Sequence, residues 1–174
     1  MPFRQYFGGI QIELESPLAP TEVKKRINSE ASLGLSPFYT GVVGRVWGQT
    51  LRLRYRSSPL EYNAKPLLIG PIEAVTGGCR LSLIYRGPRL MIPFFVFWLG
   101  FSLVGFVAAA IDLISSRDAE FALILFAMPI FALFPIGMHA WGTRRWDEDL
   151  AELVDFLQRE AQASSNRTTR LARP

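Results

Sequence analysis

The sequence predicts an α+β fold: a small antiparallel sheet with one short and one C-terminal helix, interrupted by a two-helix transmembrane hairpin. Three observations carry this. Residues 1–90 contain short segments in which apolar and polar side chains alternate, the pattern of half-buried strands. Two apolar runs, residues 92–114 (IPFFVFWLGFSLVGFVAAAIDLI) and 121–143 (FALILFAMPIFALFPIGMHAWGT), are each long enough to cross a hydrocarbon layer of roughly 30 Å as a helix. Residues 146–163 return to the helical period with one apolar stripe. The 174 residues therefore divide into a cytoplasmic β-rich half (1–90), a hairpin (91–143), an amphipathic helix packing on the sheet (144–163) and a disordered tail (164–174).

Tyr6 to Glu15 reads as the first strand, with Ile10, Ile12 and Leu14 facing one way and Gln11, Glu13 and Glu15 the other. Ser16-Pro17 ends it. A short helix over 21–32 follows, with Thr21 as N-cap and Val23, Ile27 and Ala31 as its stripe. Gly34 and Pro37 mark a loop. Thr40 to Trp47 is the second strand, and Gly48-Gln49 a tight turn. Leu51 to Arg56 alternates most cleanly: Leu51, Leu53 and Tyr55 against Arg52, Arg54 and Arg56. Residues 57–66 form a polar connection. Leu67 to Thr76 is a strand broken by Gly70-Pro71, which points to an edge or a bulge. Gly77-Gly78 signals a hairpin turn. Cys79 to Arg86 alternates again, Cys79, Leu81, Leu83 and Tyr85 against Arg80, Ser82, Ile84 and Arg86. The sheet thus has one apolar face, which needs a cover. The short helix is too small to cover it alone. Residues 146–163 supply the second cover through Trp146, Leu150, Leu153, Val154 and Leu157, with Asp147, Glu148 and Asp149 in a first turn whose dipole favours acids.

Charge is uneven. Residues 1–90 carry a net of +6, the hairpin −2, residues 144–163 −3 and the tail +3. The basic front and the acidic helix can attract one another as two faces of one domain; alternatively a basic patch lies on anionic headgroups. Surface helices of membranes usually carry Lys and Arg, so an acidic last helix argues for docking on the domain. The N-terminus lacks the continuous apolar core of a cleavable signal peptide, which leaves the first span as the targeting signal. Arg80, Arg86 and Arg89 precede the first span and Arg144-Arg145 follow the second, whereas the linker 115–120 has only Arg117. The positive-inside rule places both termini in the cytoplasm. Trp98, Trp141 and Trp146 cluster toward that same interface.

Few residues offer chemistry. Cys79 is the single cysteine, which excludes an internal disulfide and a cysteine metal cluster; it lies on an apolar strand face and reads as core. His139, the single histidine, lies in the second span, where the choice is between a proton-responsive group and a packing residue. Asp112, near the outer end of the first span, is at the wrong depth to relay protons to it. Pro129 and Pro135 interrupt the second span and release carbonyls. Gly105 and Ala109 allow close approach of the two spans. Arg52, Arg54, Arg56, Arg80 and Arg86 form a basic sheet face, either a phosphate or headgroup site or a solvated surface. Nucleic acid fits less well, because the aromatics are not interleaved with the arginines. Phosphate loops, dinucleotide fingerprints, metal-ligand spacings and nucleophile elbows are missing from the sequence, and no cofactor is expected.

The segment IELESPLAPTEVKKRI, a strand followed by a proline-bounded helix, resembles the opening of START-like helix-grip domains. The antiparallel strands and closing amphipathic helix are similar too. The chain also resembles bacterial two-span membrane proteins of uncharacterised function in which a hairpin precedes the last helix. The resemblance implies a bacterial inner-membrane location, and helix-grip domains often hold an apolar ligand between sheet and last helix, though no site residue carries over from them. By facing, a cavity there in this chain would be lined by Leu51, Leu53, Tyr55, Leu81, Leu83, Tyr85, Leu150, Leu153 and Leu157. Two functions are in contention. One is a membrane-anchored, non-enzymatic protein whose cytoplasmic domain binds a membrane or cytoplasmic protein partner or assists assembly. The other is a lipid or hydrophobic-ligand binding module.

Overall fold

The computed structural model describes residues 3–31, 38–57, 65–116, 119–165 and 170–171. It is an α+β structure in two units, one formed by Met1–Pro88 with Thr143–Pro174 and the other by Arg89–Gly142. The expected loop at Gly34 and Pro37, most of the connection over 57–66, Arg117 in the linker and most of the tail lie outside the described residues.

In the first unit the order is α1 (Phe3–Gly8), β1 (Ile10–Ser16), α2 (Pro20–Glu30), β2 (Gly41–Trp47), β3 (Thr50–Arg56), β4 (Leu67–Val75), β5 (Gly78–Arg86) and, after the hairpin, α5 (Trp146–Glu160). The five strands form one antiparallel sheet in the order β2-β3-β4-β5-β1. Three hairpins run from β2 to β5, and β1 adds to the far side of β5 with Ile10 opposite Tyr85 and Ser16 opposite Cys79. Two-residue strands β6 (Ser164–Ser165) and β7 (Arg170–Leu171) pair with the outer side of β1, where the sequence had suggested a disordered tail.

Three local expectations are corrected. Residues 6–8 are helical rather than extended. Tyr6-Phe7 does not alternate, and the helix closes with the Gly9 N–H donating to the Gln5 carbonyl at 2.8 Å. Gly9 takes a φ of +82°, a cap conformation that disfavours other residues. The N-cap of α2 is Ala19, not Thr21: Pro20 opens the helix, and a proline suits the first turn because its missing N–H would be orphaned there. Finally, Gly70-Pro71 lies in an interior strand. Pairing with β5 lapses at those two residues and resumes at Ile72 opposite Leu81 without a change of register. A Cβ on Gly70 would come within 2.0 Å of the Ser82 carbonyl oxygen, so close strand approach demands glycine there.

The apolar face carries the core. Ile10, Leu14, Leu51, Leu53, Leu68, Ile72, Leu81, Leu83 and Tyr85 are buried together with Val23 and Ile27 of α2 and Leu153, Phe156 and Leu157 of α5. Both expected covers are therefore present. The stripe on α5 is rotated slightly from the expectation: Phe156 is buried and Val154 is only half-buried. Ser16 Oγ donates to the Ala161 carbonyl and accepts from the Leu18 N–H at 3.1 Å, tying the end of β1 to the end of α5. The Tyr85 hydroxyl donates to the Trp146 carbonyl at 3.3 Å.

Strand β2 is an edge, and α2 seals part of it. Asn28 Nδ2 donates to the Val46 carbonyl at 3.2 Å, and the Val46 N–H donates to Asn28 Oδ1 at 2.7 Å. One side chain thereby occupies the outward backbone groups through which an edge strand recruits another chain. Asn28→Ala is expected to lower stability by about 1 kcal/mol, from the lost hydrogen bonds, and to raise concentration-dependent association. Light scattering against concentration tests this; unchanged association would refute the sealing role.

The second unit comprises α3 (Met91–Ser116) and α4 (Ala119–Gly142). Within them Met91–Ser115 and Leu123–Gly142 are long and apolar enough to cross a membrane. The helices are antiparallel: Phe95 meets His139, Trp98 meets Phe131, and Gly105 lies against Met128. Most of their other apolar side chains face outward, as Phe97 (70% exposed) and Phe126 (78%) do.

Candidate functional site

The outer face of the sheet, opposite α2 and α5, is where the described structure concentrates charge without a core role. Strand alternation sets its membership. Leu51, Leu53 and Tyr55 turn to the helices, so Arg52, Arg54 and Arg56 turn away. Cross-strand register then selects the neighbours: Val43 stands opposite Arg54, and Arg45 stands opposite Arg52. Arg45, Arg52 and Arg54 line an open groove of about 430 Å³ with Val43, Gly44, Leu53 and Leu67. Arg45 lies over the Trp47 ring with its Cζ 4.1 Å from the centroid, a cation–π contact. Arg52 and Arg54 have no ion-pair partner among the described residues.

The five predicted arginines are not one cluster. Arg52 and Arg54 share the groove. Arg56 and Arg86 are half-buried at the strand ends, Arg86 opposite Leu67. Arg80 is separated from Arg86 by six positions of β5, roughly 20 Å. It pairs with Glu15, Nη2 to Oε1 at 3.2 Å, and faces Glu73 across the β4 ladder. That end of the face is neutralised. Arg45 was missed because Val42-Val43 breaks the alternation of β2, so its facing could not be read; only the register with Arg52 reveals it.

The proposed cavity residues have another use. Leu51, Leu53, Leu81, Leu83, Tyr85, Leu153 and Leu157 belong to the continuous buried core, and Tyr55 and Leu150 pack against its margin. Of the nine, Tyr55 lines an open groove of about 310 Å³ together with Val42 of the sheet and Glu152 and Phe156 of α5.

A buried ion pair was not anticipated. Lys65 Nζ lies 2.8 Å from Asp149 Oδ2, the two side chains 10% and 6% exposed, and Nζ also donates to Ser57 Oγ at 2.9 Å. Asp149 reads in sequence as one of three dipole-favoured acids. Its position on the buried side of α5 gives it a second role, joining the start of β4 to the last helix. The anticipated attraction between basic front and acidic helix is realised at this pair, while the arginine groove lies on the other face.

Cys79 is fully buried. Burial pushes its thiol up from the ordinary value, with a Ser16 hydrogen bond partly offsetting this, so the thiolate is disfavoured and the side chain packs in the core. His139 is buried within the hairpin edge-to-face with Phe95, ring centroids 5.7 Å apart. Phe95 is seventeen residues from Asp112 on α3, about 25 Å of helix, which keeps the two ionisable groups apart.

The carbonyl released by Pro135 has a partner. Pro135 lacks the N–H that the Phe131 carbonyl would receive in an uninterrupted helix. The Trp98 indole N–H takes its place, donating to that carbonyl at 3.0 Å while its ring stacks on Phe131 with centroids 4.3 Å apart. Trp98 thereby joins the two helices of the hairpin. Trp146 packs against the core of the α+β unit, and Trp141 is 64% exposed.

Comparisons with protein-family models, with curated proteins and with solved structures found no match for this chain.

Proposed function

We propose that the chain is a membrane-anchored, non-enzymatic binding protein, with α3 and α4 as the anchor and the outer sheet face as the binding surface. The observation that carries this reading is the division of labour between the two sheet faces. The inner face is filled by α2 and α5, whereas the outer face presents an open groove with Arg45, Arg52 and Arg54. Arg52 and Arg54, with no ion-pair partner among the described residues, are available to a partner, and Arg45 is held beside them on the Trp47 ring. The outward apolar surface of the hairpin suits lipid. The arginines flanking the two helices favour both termini on the cytoplasmic side; the layout resemblance is what supports a bacterial inner membrane.

Alkaline extraction of membranes tests the anchor, and reporters fused at the linker and the C-terminus test the topology. The full-length protein should remain in the pellet, with only the linker reporter on the outer side. A soluble protein, or an external C-terminus, would overturn the reading.

A further inference from the structure

We propose that the Arg45–Arg52–Arg54 groove binds the headgroup of an anionic phospholipid. The inference rests on the membrane reading above and names the partner of the same surface. Arg45 and Arg52 are direct cross-strand neighbours. Such pairs hold their Cβ atoms roughly 4.5–5.5 Å apart, and like charges there repel. An anion between them reverses the sign of that interaction. Arg54, two residues along β3 on the same face, adds a third guanidinium, and the planar fork of each suits phosphate oxygens. The Trp47 ring holds Arg45 in place before a ligand arrives. Val43, opposite Arg54 on the outer face, and Leu67 line the same groove, so apolar side chains adjoin the charged rim.

Charge complementarity selects the occupant. In sequence, the basic end of β5 at Arg86 stands five residues before α3 begins at Met91, and Arg89, Arg144 and Arg145 also border the apolar helices. Basic residues beside apolar segments are drawn to anionic leaflets. Along the sheet the charge is graded: the end that leads into the apolar helix carries Arg54, Arg56 and Arg86, while Arg80 at the other end is paired with Glu15.

The test is native mass spectrometry of the full-length protein in a non-ionic detergent, titrated with phosphatidylglycerol or with phosphatidylcholine of matched chains. Wild type and Arg80→Gln should retain phosphatidylglycerol in preference. Arg52→Gln/Arg54→Gln should bind it roughly thirtyfold more weakly, the loss of two arginine contacts to an anionic lipid. Circular dichroism confirms that the double variant is folded; removing like charges from a solvated face should not unfold it. An unchanged preference in the folded double variant would overturn the inference. So would displacement of the lipid by millimolar inorganic phosphate, which would mark the groove as a general anion site. Alkaline extraction of the same variants separates the two readings. A protein that stays in the membrane without an arginine-dependent lipid preference refutes the headgroup site alone; a soluble protein refutes both.

Discussion

Lys65→Met should lower the stability of the α+β unit by about 3–5 kcal/mol, the cost of removing one partner from a buried ion pair. The Asp149 carboxylate, 6% exposed, would lose the ammonium 2.8 Å away while remaining under α5. Asp149→Leu should cost a similar amount from the other side, because a buried ammonium is no cheaper. The combined Lys65→Met/Asp149→Leu variant should recover most of the loss, since well-packed apolar residues often replace such a pair without penalty. Denaturant unfolding of the full-length protein in detergent, followed by circular dichroism, measures all three. Single variants within a few tenths of a kcal/mol of wild type would show that the pair does not hold α5 to the sheet.

A second large effect is expected inside the hairpin. Trp98→Ala removes both the stacking on Phe131 and the donor to its carbonyl, and should weaken the α3–α4 association by about 2 kcal/mol. The informative comparison is Trp98→Phe in two backgrounds. With Pro135 present, the change removes the donor to the Phe131 carbonyl, at a cost of about 1–2 kcal/mol. With Pro135→Ala, residue 135 supplies its own N–H to the Phe131 carbonyl and the same change should cost little. The coupling in this double-mutant cycle isolates the hydrogen bond from the ring packing. Equal costs in both backgrounds would mean that the indole N–H contributes nothing. Steric trapping or thermal unfolding in micelles provides the readout.

The fold class was legible because its determinants are periodic. Leu51 to Arg56 alternates without interruption and Cys79 to Arg86 does so with Ile84 out of pattern, and each occupies its expected strand and face. The two long helices are legible from length alone. Errors gathered where local pattern and long-range geometry part company. Gly70-Pro71 looks like an edge because proline lacks an N–H, yet the ladder on one side simply lapses there while the strand stays interior. Tyr6 was assigned to a strand because it precedes one, although the Gly9 cap ends a helix first.

The site was half legible for the same reason. Arg52 and Arg54 follow from alternation within one strand. Arg45 depends on which residue of β2 faces which residue of β3. Arg80 was grouped with them by its facing, but its pairing with Glu15 depends on β1 joining the far side of β5, across more than sixty residues of chain. The Lys65–Asp149 and Trp98–Phe131 contacts are of that kind too: each joins segments whose meeting no local pattern announces.

The contact between Ser16 and Ala161 has a consequence for the protein's synthesis. All five main strands are complete once residue 86 has been made, but α5 ends only at Glu160. At translation rates of about 5–20 residues per second, the apolar sheet face waits roughly 4–15 s for its second cover. On the membrane-anchor reading proposed above, the nascent chain also delivers two apolar helices to a bilayer during that interval. Delayed insertion therefore prolongs exposure of the uncovered sheet. The half-made protein is a natural client for chaperones at the ribosome exit, and its yield should depend on how quickly the hairpin is handed over.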